Sequence, residues 1–198
     1  MRTDTAPPSW AEALLRLFLR PNVFASVSGD LLEQYRDSIH PARGRRGADR
    51  WYVQTVLGYV WRVTRLWAAL FTSAFVARTA LDWLVPTTDF HARSEVSTAV
   101  GEGILLASGF WIAWRSGSFA AGVATGVATT AIAAVLSFGA TAILLAIWHD
   151  PLTVEAIKGS GGLDEALLLP AWLILPGIAF GGFGGLVGAT AKRFVRDI

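Results

Sequence analysis

Apolar residues follow two patterns along this chain. Up to about residue 66 they recur three or four positions apart among charged residues, the spacing of an amphipathic helix. Beyond it they run together. In "SWAEALLRLFLRP", Trp10, Leu14 and Phe18 share one helical face, Ser9 and Glu12 stand as the two ends of a capping box, and Pro21 marks the stop. A second helix is expected over 24–39, with Leu31, Leu32, Tyr35 and Ile39 as its apolar stripe and Asp30, Glu33 and Asp37 as its acidic face. "HPARGRRG" (40–47) reads as a basic break, after which a third helix starts near Ala48 with no stop signal ahead of the apolar region. Trp51, Val56 and Val60 are placed to pack back on the first two helices. Three helices in about 60 residues bury too little surface to be very stable alone, so the unit is expected to lean on the membrane domain or its headgroups.

The rest of the chain suits lipid. Residues 116–148 carry no charge over 33 positions and residues 166–191 none over 26, against about 20 apolar residues needed to cross a bilayer. Four spans are predicted, at about 60–85, 96–114, 118–148 and 166–191, the first closed by Pro86 and the last containing Pro170 and Pro176. The expected fold is all-α: a four-helix integral membrane bundle over 60–198, preceded by a small cytoplasmic three-helix prefix over 1–59.

Composition agrees with that division. Of 198 residues, 53% are hydrophobic and 16% charged, where a soluble domain carries about a quarter charged. Residues 1–66 hold ten of the seventeen basic and six of the fifteen acidic residues, a net of +4. The pI near 9.4 does not point to nucleic acid, because the positive charge sits beside the spans, where it sets orientation and meets anionic lipid. Arg115 lies in the second connection and Lys192, Arg193 and Arg196 follow the last span, whereas the other two connections carry only Arg93 and Lys158. Both termini are therefore expected in the cytoplasm of a bacterial inner membrane. Trp61, Trp67, Trp83, Trp111, Trp114 and Trp148 cluster at expected span ends, as an aromatic belt does. No cleavable signal peptide is expected. The absence of cysteine excludes disulfides, thiolate metal sites and cysteine nucleophiles.

"GDLLEQYR" followed by "GRRGADRWYVQTVL" supplies Gly29, Asp30, Leu31, Leu32, Glu33, Tyr35 and Arg36, then Gly47, Ala48, Trp51, Tyr52 and Gln54. With these residues the region of about 9–65 resembles the permease prefix domain, a short helical unit ahead of the first transmembrane helix of bacterial, especially acidobacterial, ABC-type permeases. The resemblance implies a cytoplasmic adaptor or regulatory module on a membrane anchor and carries no catalytic residues. The remainder departs from that family. Only residues 86–95 separate the first two spans, where those permeases hold an extracytoplasmic domain, and no GxxxxGK[ST] loop is present.

Three ionisable residues fall inside expected spans: Arg78, Asp82 and Glu102. Charges in hydrocarbon are costly and mark candidate functional sites. Arg78 and Asp82 are four apart, on one helical face, and Arg78 is placed to bridge Asp82 and Glu102, either to fix packing or to line an ion path. Small residues form a second signal. Gly122 and Gly126, then Gly177, Gly181 and Gly185, with Gly184 and Gly188, recur at the spacing that lets helix backbones approach in lipid. They would pack spans three and four together or form an oligomer or partner surface, and Pro176 beside Gly177 invites a kink. Arg43, Arg45, Arg46 and Arg50 lack the interleaved aromatics of a single-strand binder and suit anionic headgroups or a partner. His40, His91 and His149 lie near expected loops, so no facing haem ligands are expected. No HExxH, GxSxG or EF-hand pattern occurs.

The expected function is non-enzymatic: an accessory, scaffolding or regulatory subunit of a membrane complex, with no cofactor, metal or nucleic acid. Its expected partners are lipids and either other membrane subunits or further copies of the chain. One alternative is a small oligomeric transporter or channel using Arg78, Asp82 and Glu102. Another is a subunit of an energy-converting complex associated with a cofactor.

Overall fold

The computed structural model describes residues 6–85, 90–147, 151, 155 and 172–196, and these form an all-helical protein with no strand among them. Helix α1 spans Ser9–Phe18, and its N-cap is Pro8. The Pro8 carbonyl accepts from the amides of Ala11 (3.0 Å) and Glu12 (3.3 Å), so Ser9 already lies inside the helix and no side-chain cap forms. The expected capping box is thereby corrected. Glu12 accepts instead from Ser28 Oγ on the next helix, across 3.4 Å. The buried face is also turned, to Ala11, Leu15 and Phe18, while Trp10 is 57% exposed. Ala11, with a single methyl, lets α1 close on its neighbours where an indole would hold them apart.

Helix α2 covers Pro21–Gln34, with Pro21 in its first turn, a position where the missing N–H is no loss. The chain then passes through a π-helical turn, Tyr35–Ile39, straight into α3, His40–Leu84. The basic break is thus one residue wide. Gly44 alone departs from helical geometry, at φ 65° and ψ 176°, a region that costs glycine little.

Ala11, Leu15, Leu31, Tyr35, Ala48, Tyr52 and Val56 form the core of this N-terminal unit. Tyr35 meets Tyr52 edge-on at 6.0 Å and donates its hydroxyl to Asp49 Oδ1 at 2.6 Å. Each large apolar side chain fully buried there contributes about 1.5–3 kcal/mol. Asp30, Glu33 and Asp37 remain exposed.

Beyond Val60, α3 continues alongside α4 (Phe90–Ser116) and α5 (Phe119–Ile147), and α6 (Ile174–Arg196) completes the bundle. Three segments are long and apolar enough to cross a membrane, Ala92–Ser116, Phe119–Ile147 and Ile174–Val195, so the chain reads as a multi-pass membrane protein. The distal part of α3 falls short of that standard. Arg65 and Arg78 bracket only 66–77 as uncharged sequence, about 18 Å of helix against a hydrocarbon core of about 30 Å. It nevertheless runs antiparallel to α4. Val63 shares a cavity with Ile112, Phe71 meets Gly101, and Arg78 shares a cleft with Ser94 and Ser97. A tight turn with Gly117 at φ 79° joins α4 to α5, and α6 packs along both. Residues 166–171 of the expected fourth span and most of the 149–165 connection lie outside the described residues.

Size sorts the side chains of the bundle. Val135, Ile143 and Phe183 point outward, whereas the buried face of α5 carries Thr125, Thr129, Thr130, Ser137 and Thr141. Thr125 and Thr130 return their hydroxyl protons to the carbonyls of Ala121 (2.7 Å) and Gly126 (3.0 Å). Small and hydroxyl-bearing residues inside with large apolar ones outside is the arrangement expected where lipid replaces water.

Candidate functional site

Packing in the bundle centres on the glycines of α6, which lie on two of its faces. Toward α5, Gly181 faces Gly122 and Gly126, Gly185 faces Gly122, and Gly177 faces Gly126 and Thr130. A methyl at Gly181 would stand 2.7 Å from the Gly126 Cα, and one at Gly185 would stand 3.0 Å from the Gly122 Cα. Toward α4, Gly188 abuts the Phe110 carbonyl, Gly184 the Leu106 carbonyl, and Gly181 meets Gly109. Gly109 belongs to no i, i+4 glycine pair, and its role is visible only in three dimensions. Backbone-to-backbone contact on two faces leaves α6 no room for a side chain at these points, so the helix is held between its two neighbours.

The expected charge cluster is only partly described. Arg78 lines a cavity of about 200 Å³ between α3 and α4, together with the hydroxyls of Ser94, Ser97 and Thr98. The side chain of Asp82 lies outside the described residues. Glu102 does not line that cavity and forms no ion pair with Arg78 among the described residues, and the Asp82 half of the expected bridge lies outside them. Near the same end of the bundle, Arg93 donates to the Val85 carbonyl at 3.0 Å and so caps the end of α3.

Arg43, Arg45, Arg46 and Arg50 are all exposed. They precede Val63, which lies level with the end of α4, by 13 to 20 positions, or about 20–30 Å of helix axis allowing for the bend at Gly44. His40 lies 6.0 Å from the Tyr35 ring. The side chain of His91 and all of His149 fall outside the described residues, among which no cluster of potential metal ligands occurs.

A second cationic group joins residues that the sequence assigns only to the same side of the membrane. Arg20, Arg115 and Lys192 line one cleft where the N-terminal unit meets the ends of α4 and α6. They stand 77 to 172 positions apart, and no local spacing announces them.

No family model, curated protein or solved structure matches this chain.

Proposed function

We propose that this protein is a non-enzymatic accessory, scaffolding or regulatory subunit of a membrane complex in a bacterial inner membrane. In this reading four helices span the bilayer, the distal part of α3 being the first, and both termini are cytoplasmic. The N-terminal unit is a cytoplasmic interaction module. One observation carries the reading: α3 is shared. Its first part supplies Ala48, Tyr52 and Val56 to the core of the N-terminal unit, and its second part packs along α4 and α5. A module fixed in this way presents its acidic face, Asp30, Glu33 and Asp37, and its basic run, Arg43, Arg45, Arg46 and Arg50, at a set distance from the membrane.

The test is purification of the full chain in mild detergent with identification of co-purifying chains. The comparison is a variant carrying Asp30→Asn, Glu33→Gln and Asp37→Asn, which keeps α1 and α2 as the cover of Tyr52 and Val56. The expected outcome is a larger complex for the native chain that the variant loses. An identical set of partners at identical yield would end the adaptor reading. Single cysteines at Thr88, Ser116 and Ser160 test the topology. An impermeant thiol reagent should label 88 and 160 in intact cells and spare 116.

The cavity at Arg78 favours a second reading, a small oligomeric transporter or channel. Its sign would be an ion-dependent flux in proteoliposomes that Arg78→Gln abolishes at normal folded yield.

A further inference from the structure

Three elements distant in sequence bring cations to one place. Arg20 comes from the α1–α2 junction, Arg115 from the end of α4 and Lys192 from the end of α6, and they line a cleft of about 550 Å³ that no carboxylate among the described residues borders. The Arg20 and Arg115 guanidinium groups make no hydrogen bond or ion pair among the described residues, and Arg115 lies over the Trp111 ring at 6.0 Å. Lys192 Nζ donates to the Arg115 carbonyl at 2.7 Å. That bond offsets the negative end of α4, which would otherwise oppose an anion here. Pro21 and Asn22, at the start of α2, border the same cleft, and no acidic residue stands in that first turn. The positive end of the α2 dipole therefore adds to the same sign.

The cleft is only half of the feature. A second cavity of about 160 Å³ shares Arg20 and Arg115 with it and is walled mainly by Phe18, Leu19, Val23, Val63 and Ile112. Cations thus stand at the mouth of an apolar slot, at the depth where α4 ends at Ser116. A free anion would use the first part and gain nothing from the second. An amphiphile with a phosphate and a hydrocarbon chain would use both.

We propose that this junction binds an anionic phospholipid, its phosphate between Arg20 and Arg115 and an acyl chain along the slot. Guanidinium suits the task because its planar fork gives paired hydrogen bonds to phosphate oxygens. The bound lipid would join the N-terminal unit to the bundle, since the site takes residues from both. The proposal goes beyond the accessory-subunit reading and does not require it, because the chain alone forms the whole site.

The experiment uses the full chain purified in detergent and titrated with short-chain phosphatidylglycerol, phosphatidylcholine or inorganic phosphate, with binding read by native mass spectrometry. Phosphatidylglycerol should bind preferentially. The double variant R20Q/R115Q should weaken it about thirtyfold, as expected for two interfacial arginines, while R93Q, at the opposite end of α4, leaves it unchanged. Should the double variant fold poorly, R20Q alone, at an exposed position, should weaken binding about fivefold. Unchanged phosphatidylglycerol affinity in the arginine variants, or equal affinity for phosphatidylcholine, overturns the proposal. Inorganic phosphate binding as tightly as the lipid would overturn the lipid assignment. The absence of a co-purifying partner would bear on the subunit reading and leave this measurement untouched.

Discussion

Gly126 of α5 and Gly181 of α6 meet without an intervening side chain: a methyl on Gly126 would stand 2.9 Å from the Gly181 Cα and against the Gly177 carbonyl as well. Neither contact can relax through a flexible side chain, because both are backbone. Gly126→Ala should therefore part α5 from α6 and cost about 1–3 kcal/mol, the usual range for overpacking. Gly139 lies on the same helix with nothing among the described residues within 4 Å of an added methyl, so Gly139→Ala should be tolerated. Melting of the two variants in one detergent is the comparison, and equal melting temperatures would show that α5 and α6 do not touch at Gly126.

The hydrogen bond from Tyr35 to Asp49 links the π-helical turn to α3. Tyr35→Phe keeps the ring and its packing against Tyr52 but removes the donor. The expected cost is about 1.5 kcal/mol, the low end for a bond to a charged acceptor, because Asp49 is only partly buried. Faster amide hydrogen exchange in 35–49 than in α5 would report it.

Tyr52 sets a pH limit on the N-terminal unit. Its hydroxyl is buried with no hydrogen-bond partner among the described residues, and its pKa lies above the ordinary value of 10.0, first through burial and second through the nearby Glu12 carboxylate. An unfolded tyrosine loses its proton near 10.0, while the folded one still holds it. The unfolded state then binds fewer protons, so stability falls as pH rises from about 10 toward the raised value and is unaffected below. Tyr52→Phe should remove this alkaline loss without harm at neutral pH, since the phenol forms no bond to lose. Melting temperatures at pH 8 and pH 10.5 provide the check.

Gly44 and Gly58 separate conformation from space, because an added methyl meets nothing within 4 Å at either. Gly44 has φ 65° and ψ 176°, a region all but closed to L side chains at a cost of about 1–3 kcal/mol, so Gly44→Ala should destabilise. Gly58 sits inside regular α3, and Gly58→Ala should stabilise by about 1 kcal/mol. Opposite signs in one chemical melt are the expected result.

The long apolar helices are legible in the sequence because residues 116–148 and 166–191 offer no charge for water to hold. The details that mislead are local competitions. Ser9 and Glu12 have capping-box spacing, but the Pro8 carbonyl takes the amides first. Trp10 has the larger apolar surface, but Ala11 permits closer packing and is the one buried. Glu102 and Arg78 occupy facing elements, yet Glu102 stands about one to two turns further along α4 than Ser94, Ser97 and Thr98 and does not line the Arg78 cavity. Gly109, Arg20, Arg115 and Lys192 leave no periodic trace, because what gives them a role is a neighbour far along the chain.

The placement of α6 also fixes a timetable. This helix is made after both of its neighbours, yet it fills the space between α4 and α5 with glycine backbone on two faces. Some 49 residues separate the end of α5 at Ile147 from the end of α6 at Arg196, roughly 2–10 s of synthesis. Through that interval Gly109, Gly122 and Gly126 have no α6 to meet, and the nascent chain holds an open notch in the membrane. A chain released before α6 would be left permanently unsealed, so the docking of α6 doubles as a check on the two helices made before it.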